Sequence, residues 1–241
     1  MQAISQDELG GPEVLKVVTF PTPEPGIGEI TVRVHAAGVN AVDAMNRDSG
    51  LFIGQAPFVL GWDVSGTVEA VGPGVTLYTP GDEVFGMLPF PHGHGAHAQY
   101  AVGPTRVFVP KPDRLDHVQA AAISMVGLTA WQALVDTAHV GEGSRVLING
   151  AAGGIGHLAI QIAKARGAHV IALASAANAD FVRSLGAGPS GNTPGAVTRG
   201  HESGIDRLYR GRSLSRCGPS GNPPRAVRVS DSPPISGPTT R

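Results

Sequence analysis

The sequence is poor in cysteine, in aromatic residues and in charge. Among 241 residues there is one cysteine, Cys217, so neither a disulfide framework nor a zinc site with several cysteines can form within one chain. Charged residues make up 15%, and a net charge of −1 gives nucleic acid no electrostatic attraction. No apolar run approaches the roughly 18 residues of a membrane span, and the first residues lack a signal peptide's apolar core. We therefore expect a cytoplasmic protein that binds neither nucleic acid nor membrane.

The composition changes after Ala187. Residues 188–241 contain eight arginines against three acids and are rich in glycine, proline and serine. So few apolar side chains cannot offset the entropy of ordering the chain, which predicts a disordered low-complexity tail. A basic arm for nucleic acid is the alternative, but the arginines are scattered and only Tyr209 could stack on a base.

Short alternating strands dominate the first half of the chain. Between residues 29 and 40, Ile30, Val32 and Val34 alternate with Thr31 and Arg33, as in a half-buried strand. Further strands are predicted at 63–71, 82–87, 96–102 and 106–109. Turns rich in proline and glycine separate them, so we expect a small antiparallel β-barrel or sandwich.

Helical patterns begin near residue 115. Asp116 and Gln119 have the spacing of a capping box, which predicts a helix start, and a second helix is predicted at 128–136. Farther on, an apolar strand at 146–148 precedes a glycine-rich turn, a helix that ends near Gly167 and a second strand at 169–173. This order within about 30 residues predicts one βαβ unit of a parallel sheet.

The glycine-rich turn has the pattern of a phosphate-binding loop, Ala151-x-Gly153-x-x-Gly156. Small residues let the backbone approach a pyrophosphate, and the helix N-terminus supplies free N–H groups and the positive end of its dipole. A plain tight turn is the alternative, but the strand before and the helix after favour dinucleotide binding. The predicted cofactor-binding residues of the turn are Ala151, Ala152, Gly153, Gly154, Ile155 and Gly156.

The end of the second strand favours NADP over NAD. NAD-selective sites usually place an acid there to bind the ribose hydroxyls, whereas this sequence has Ser175 and no acid between residues 174 and 178. A hydroxyl tolerates a phosphate. Ser175 and Asn178 could instead serve only to cap the next helix, which is predicted at 179–185.

Residues 1–187 resemble a known family along their whole length. The resembling segments include Ala37-Gly-Val-Asn-Ala-Val-Asp43, Gly81-Asp-Glu-Val-Phe-Gly86, Gly127-Leu-Thr-Ala-Trp-Gln-Ala-Leu134 and the glycine turn. They are similar to the zinc-free, quinone-oxidoreductase-like, NADP-dependent branch of the medium-chain dehydrogenase/reductase superfamily. The resemblance implies a GroES-like β-barrel at 1–114, a partial Rossmann domain at 115–187, an active site in the cleft between them and a homodimer.

The resemblance also implies that no metal takes part. Zinc-dependent alcohol dehydrogenases have a cysteine ligand where this sequence has Asn40, and a His-Glu pair where it has Trp62-Asp63. Asparagine and tryptophan do not replace thiolate and imidazole as zinc ligands. His92, His94 and His97 could form a separate metal site, but an exposed flexible loop is the simpler interpretation.

The chemistry implied by the resemblance is hydride transfer from NADPH to a quinone or an α,β-unsaturated carbonyl. Two catalytic residues are predicted. Asn40 is expected to donate a hydrogen bond to the substrate's carbonyl oxygen, and Asp43 to orient the same segment. Thr129 resembles a family threonine that contacts the cofactor phosphates. Residues 49–54 contain no tyrosine, so water is expected to supply the proton.

The resemblance ends near residue 187, in the middle of the second domain. We hypothesise a truncated or frame-shifted family member, because apolar periodicity stops abruptly there. A family continuation in another reading frame of the gene would confirm this, and the absence of such a continuation would refute it. Two functions therefore remain open. One is an NADPH-dependent quinone or enone reductase, and the other is a catalytically inactive fragment with at most weak cofactor binding.

Overall fold

The chain divides into two compact units, Met1–Met125 and Val126–Arg241, in a computed structural model. The structure describes residues 1–93 and 95–188, together with Val197–Thr198 and Arg228–Val229. The division between the units, after Met125, falls within a helix at His117–Trp131, which begins shortly after the domain boundary predicted at 114/115.

The first unit contains two antiparallel sheets built from eight described strands. The three-stranded sheet has the order β2-β1-β4, and the five-stranded sheet has the order β7-β3-β5-β6-β8. The strands are β1 (Gln2–Gln6), β2 (Lys16–Thr19), β3 (Glu29–Ala37), β4 (Phe58–Val59), β5 (Asp63–Val71), β6 (Glu83–Met87), β7 (Tyr100–Pro104) and β8 (Phe108–Pro110). The predicted antiparallel architecture is confirmed, with β7 beginning later than expected.

The core of this unit takes up the apolar face of β3, and Thr31 on the opposite face is buried as well. Ile30 and Val32 are fully buried and pack with Trp62, Val64 and Val84. The pairing of β3 with β5 shifts register twice, between Thr31 and Val32 and between Val34 and Ala36. Such bulges re-aim the strand locally. The second shift lies near the end of β3 that leads to the loop before residue 40.

Two α-helices follow from local signals in this region, and short 3₁₀ turns cover Pro12–Val14 and Thr105–Val107. Helix α1 (Ala41–Ser49) begins after Asn40 and ends at Gly50, whose φ of 65° is left-handed. Helix α2 (His117–Trp131) begins at the predicted capping box: Gln119 N donates to Asp116 Oδ1, and Asp116 N donates to Gln119 Oε1.

The prediction of a separate helix at 128–136 is wrong. Helix α2 runs through these positions and continues as a π-helix at Gln132–Thr137. Gly127 lowers helix propensity by about 1 kcal/mol, but buried Ala120, Ala130 and Leu134 stabilise an unbroken helix through packing. Within residues 117–137, an 18-residue stretch has a mean hydropathy of 1.4, so this helix is long and apolar enough to cross a membrane by length and composition alone.

The second unit contains the predicted βαβ unit, which is confirmed. Strands β9 (Arg145–Asn149) and β10 (His169–Ala174) are parallel, and helix α3 (Gly154–Ala165) connects them. Helix α3 buries Gly156, Ala159, Ile160 and Ala163, which lie on one face because they repeat at helical spacing. A 3₁₀ turn (Ala176–Asn178) and helix α4 (Ala179–Ser184) follow.

Most of the predicted disordered tail, residues 188–241, lies outside the described residues. Two short strands within it are described: β11 (Val197–Thr198) pairs in parallel with β10, and β12 (Arg228–Val229) pairs in parallel with β9. The sheet order is therefore β11-β10-β9-β12. Unpaired N–H and C=O groups at a sheet edge favour the addition of such strands.

Candidate active site

Asn40 lies where strand β3 has ended and helix α1 begins. It is the N-cap residue, with an extended backbone, and it is half-buried. Its side-chain amide Nδ2 donates a hydrogen bond of 2.9 Å to Asp63 Oδ2. The Asn40 amide, which was predicted to donate to the substrate, therefore also donates to the carboxylate of Asp63, a residue that was not predicted to belong to the site.

Asp43 is buried and serves the same turn. Its Oδ2 accepts from Asn40 N at 2.7 Å, and its Oδ1 accepts from Gly61 N at 3.0 Å. The first bond satisfies an N–H at the start of α1, and the second ties α1 to the loop before β5. The predicted orienting role of Asp43 has a definite geometry: both carboxylate oxygens hold backbone.

Asp63 is the first residue of β5 and is 1% exposed. Besides Asn40, its carboxylate accepts from Met125 N at 2.9 Å through Oδ1. Its backbone oxygen accepts from Gly38 N at 3.1 Å. A Cβ added to Gly38 would stand 2.8 Å from Asp63 Cβ, so the strand packs directly against this glycine.

Burial raises the pKa of both carboxyls. The pKa of Asp63 rises from 3.8 to about 6: burial is the main cause and Asp43 adds to it, while hydrogen bonds from Asn40 and Met125 N and the nearby His97 oppose it. Burial likewise raises the pKa of Asp43, against hydrogen bonds from Asn40 N and Gly61 N.

The raised pKa of Asp63 has a cost in stability. The folded state binds this proton more tightly than the unfolded chain does. Ionisation of Asp63 therefore lowers the free energy of unfolding by about 3 kcal/mol in total as the pH rises from about 4 to about 6. Carboxylates retained at such a cost are enriched at functional sites.

His97 is half-buried and contacts the Gly38 backbone beside Asp63, whereas the sequence predicted an exposed flexible loop here. Its backbone N donates to Leu60 O at 3.0 Å, and its ring Nε2 lies 3.2 Å from Gly38 O. His94 lies outside the described residues. Among residues 1–93 and 95–188, no three His, Cys, Asp or Glu side chains come together as metal ligands would.

Three aromatic rings flank the start of β5. Trp62 is fully buried, and its ring centroid lies 5.1 Å from that of Phe90. The ring of Phe90 in turn meets Phe52 edge-on at 5.1 Å. Phe52 and Phe90 are both about two-fifths exposed, at 44% and 41%, so they form a small apolar surface that packs against Trp62, the residue before Asp63.

The glycine turn of the second unit has the geometry that a phosphate loop needs. Gly150 is left-handed with a φ of 67°, and Gly153 N donates back to Gly150 O at 2.9 Å. A Cβ on Gly156 would overlap Gly150 O and stand 2.7 Å from Ala151 Cα, so only glycine fits where α3 crosses the turn.

The N-terminus of α3 carries the N–H groups that follow the turn. The first backbone bond of the helix runs from His157 N to Gly153 O at 3.1 Å. The N–H groups of Gly154, Ile155 and Gly156 precede this bond and therefore have no acceptor one helical turn earlier. The cradle and its N–H groups fit a pyrophosphate. Buried Ala151 packs beneath the turn, and Ala152 and Gly153 are half-buried within it.

Two more predicted cofactor residues lie in the same unit. Thr129 is exposed on α2 one turn beyond Val126, whose Cγ1 lies 3.5 Å from the position of a Cβ on Gly154. Ser175 is exposed after β10, and its Oγ accepts from Asn178 Nδ2 at 3.1 Å. Ser175 and Asn178 are the N-cap residues of the 3₁₀ turn and of α4, respectively, but neither side chain caps a backbone N–H there.

Sequence reasoning missed Asp63 as a site residue, together with the backbone of Gly38 and Gly61. One signal was present, because an acid at the first position of a predicted strand needs a partner if the strand buries it. The partner itself, 23 residues earlier, could not be read from any local pattern.

Comparison with known proteins gives consistent matches. Residues 26–113 match the alcohol dehydrogenase GroES-like domain. Quinone oxidoreductase of Pongo abelii is 39% identical over 177 residues, which cover 72% of this chain and 53% of that protein.

Two solved structures resemble the chain over most of its length. An NAD-dependent alcohol dehydrogenase has 36% identity and a TM-score of 0.76, with 88% of this chain and 68% of that chain covered. A mycobacterial protein solved with NADPH has 33% identity and a TM-score of 0.73, with 88% and 63% covered.

An antiparallel GroES-like unit followed by a βαβ unit with a glycine turn defines the alcohol-dehydrogenase-like class. Within that class the chain belongs to the medium-chain dehydrogenase/reductase superfamily, in its quinone-oxidoreductase-like branch. The resemblance to quinone-oxidoreductase-like members of this superfamily, stated from the sequence, is thereby confirmed, and the absence of zinc and the preference for NADP stay predictions. The chain spans about half the length of the curated relatives it matches.

Proposed function

We propose that this protein is an NADPH-dependent oxidoreductase that reduces a quinone or an α,β-unsaturated carbonyl without zinc. The observation that carries the proposal is the turn at 150–156, where Gly156 leaves no room for a side chain and the N–H groups of α3 follow. When bound, the nicotinamide cofactor supplies the hydride. The family relationship supports the reaction class.

In this proposal Asn40 donates a hydrogen bond to the substrate's carbonyl oxygen as negative charge develops there. Asp43 and Asp63 hold the Asn40 segment in place through the bonds described above. The exposed rings of Phe52 and Phe90 favour a planar, uncharged substrate such as a quinone over a charged one.

We also propose that the protein works in the cytoplasm, which fractionation of the native host would test.

Zinc independence rests on side-chain chemistry. Asn40 and Trp62 occupy positions where zinc-dependent relatives have ligands, and neither side chain binds zinc well. The Asn40 amide is instead bonded to Asp63. The proton that completes the reduction comes from water in this proposal, since no tyrosine is present between residues 49 and 54.

The full chain is expected to oxidise NADPH in the presence of a quinone, and dialysis against EDTA should leave the rate unchanged.

Asn40→Ala should lower kcat about 100- to 1,000-fold, because one donor to the developing oxyanion is lost. The Kd for NADPH, measured by titration, should stay unchanged in this variant. NADPH binding without turnover by the full chain would favour the inactive-fragment alternative, and loss of activity with EDTA would refute zinc independence.

Cofactor choice is expected to follow Ser175. The chain should bind NADPH more tightly than NADH, and Ser175→Asp should reverse the preference, because a carboxylate repels the 2′-phosphate by on the order of 1 kcal/mol or more. Ser184→Asp, which adds the same charge at another exposed serine of this unit, is the control and should keep the NADPH preference. Equal affinities in all three proteins would remove the case for NADP.

A further inference from the structure

We propose that Asp63 is the positioning residue of Asn40: its carboxylate holds one N–H of the Asn40 amide and so aims the other at the substrate's carbonyl oxygen. This inference rests on the proposed function, in which Asn40 is the hydrogen-bond donor. It assigns Asp63 a role toward the substrate in addition to its bond to the Met125 backbone.

The contacts define a single orientation of the amide. Asn40 Nδ2 lies 2.9 Å from Asp63 Oδ2, and the amide nitrogen carries two hydrogens. The second hydrogen has no partner among the described residues, and Asn40 is only half-buried. One N–H is therefore held from behind while the other remains available to a ligand.

The carboxylate of Asp63 is held in a fixed position by contacts other than the one to Asn40. Its other oxygen, Oδ1, accepts from Met125 N at 2.9 Å, and its backbone oxygen accepts from Gly38 N at 3.1 Å. The carboxylate is also packed against the Gly38 backbone, where an added Cβ would stand 2.9 Å from Asp63 Oδ2. A fixed acceptor of this kind gives a flexible amide a definite direction.

Protonation of Asp63 would remove this acceptor. Because Oδ1 already accepts the Met125 N–H, the proton would be carried by Oδ2, which faces the donor Nδ2 of Asn40. A protonated oxygen accepts a hydrogen bond much less well than a carboxylate oxygen and can turn its own O–H toward the amide, so the amide would lose the charged acceptor that orients it. The titratable groups that face Asp63 are Asp43, which raises its pKa, and His97, which lowers it.

The direction of the pH effect follows from the active form. The pKa of Asp63 is raised to about 6, and the carboxylate is the form that holds Asn40. The kcat for quinone reduction should therefore be constant above about pH 7 and fall below about pH 6, approaching tenfold per pH unit. A purely structural acid would not place an inflection in kcat.

The first experiment measures kcat against pH for the full chain with saturating NADPH. Asp63→Asn should lower kcat about 10- to 100-fold at pH 7.5, remove the inflection near pH 6 and leave the Kd for NADPH unchanged. Glu83→Gln, a change at a half-exposed acid on β6, is the matched control and should keep the inflection. An inflection that persists in Asp63→Asn would overturn the proposal.

A double-mutant comparison separates this inference from the proposed function. If Asp63 acts through Asn40, the double variant Asn40→Ala, Asp63→Asn should be no slower than Asn40→Ala alone. Normal kcat in Asn40→Ala would refute the role of Asn40 itself, and with it the proposed function of the site. A large loss in Asn40→Ala with none in Asp63→Asn would refute only the positioning role.

A second readout needs no turnover. In the ¹⁵N NMR spectrum of the full chain, the side-chain amide of Asn40 should shift with pH with a midpoint near 6, and Asp63→Asn should abolish that shift. The side-chain amide of Asn178, which faces Ser175, serves as an internal control and should not follow this titration. An Asn40 amide that does not respond between pH 5 and 7 would overturn the proposal even in a chain without activity.

Discussion

Gly156→Ala is expected to abolish dinucleotide binding, with at least a 100-fold rise in the Kd for NADPH. The added Cβ would overlap Gly150 O and lie 2.7 Å from Ala151 Cα, and both atoms belong to backbone that cannot yield without opening the turn. Helix α3 would have to move away from β9, so the N–H groups at its start would no longer converge. Overpacking of this kind also destabilises a fold by about 1–3 kcal/mol.

Gly154→Ala is the matched control, two residues earlier in the same helix. Its Cβ would meet Val126 Cγ1 at 3.5 Å, an ordinary van der Waals contact, and alanine has a higher helix propensity than glycine. NADPH titration and thermal denaturation of both variants test the pair. Equal binding by Gly156→Ala and the parent chain would show that the turn does not hold the cofactor.

Asp43→Ala is expected to destabilise the first unit by about 2–6 kcal/mol. The substitution removes the acceptor of two backbone N–H groups, at Asn40 and Gly61, and the first of these begins helix α1. Buried donors left without an acceptor cost about 1–3 kcal/mol each. The Asn40 segment should also lose its fixed conformation, so activity should fall with stability.

Urea denaturation followed by circular dichroism measures this loss, and Asp48→Ala provides the comparison. Asp48 lies in the same helix but is exposed, so its removal should change stability by less than about 0.5 kcal/mol. Asp43→Asn should recover part of the loss, because an amide oxygen can accept one of the two N–H groups but not both. Similar stabilities for Asp43→Ala and Asp48→Ala would contradict the positioning of Asp43 described here.

The sequence by itself determined the elements whose signals lie within a few residues. The β9-turn-α3-β10 order follows from an apolar run, small residues at 151, 153 and 156, and a helical repeat of buried positions. The capping pair Asp116 and Gln119 was predicted for the same reason, since its partners are three residues apart. Backbone sterics and hydrogen-bond reach decide such features without the rest of the fold.

Only the tertiary structure decided which distant groups meet. The bond between Asn40 and Asp63 joins the start of a helix to the start of a strand 23 residues later, and His97 reaches Gly38 across 59 residues. Helix α2 passes through Gly127 because packing outweighs the local cost of glycine. Pairings at long sequence separation depend on sheet register and shared burial, which local propensity does not encode.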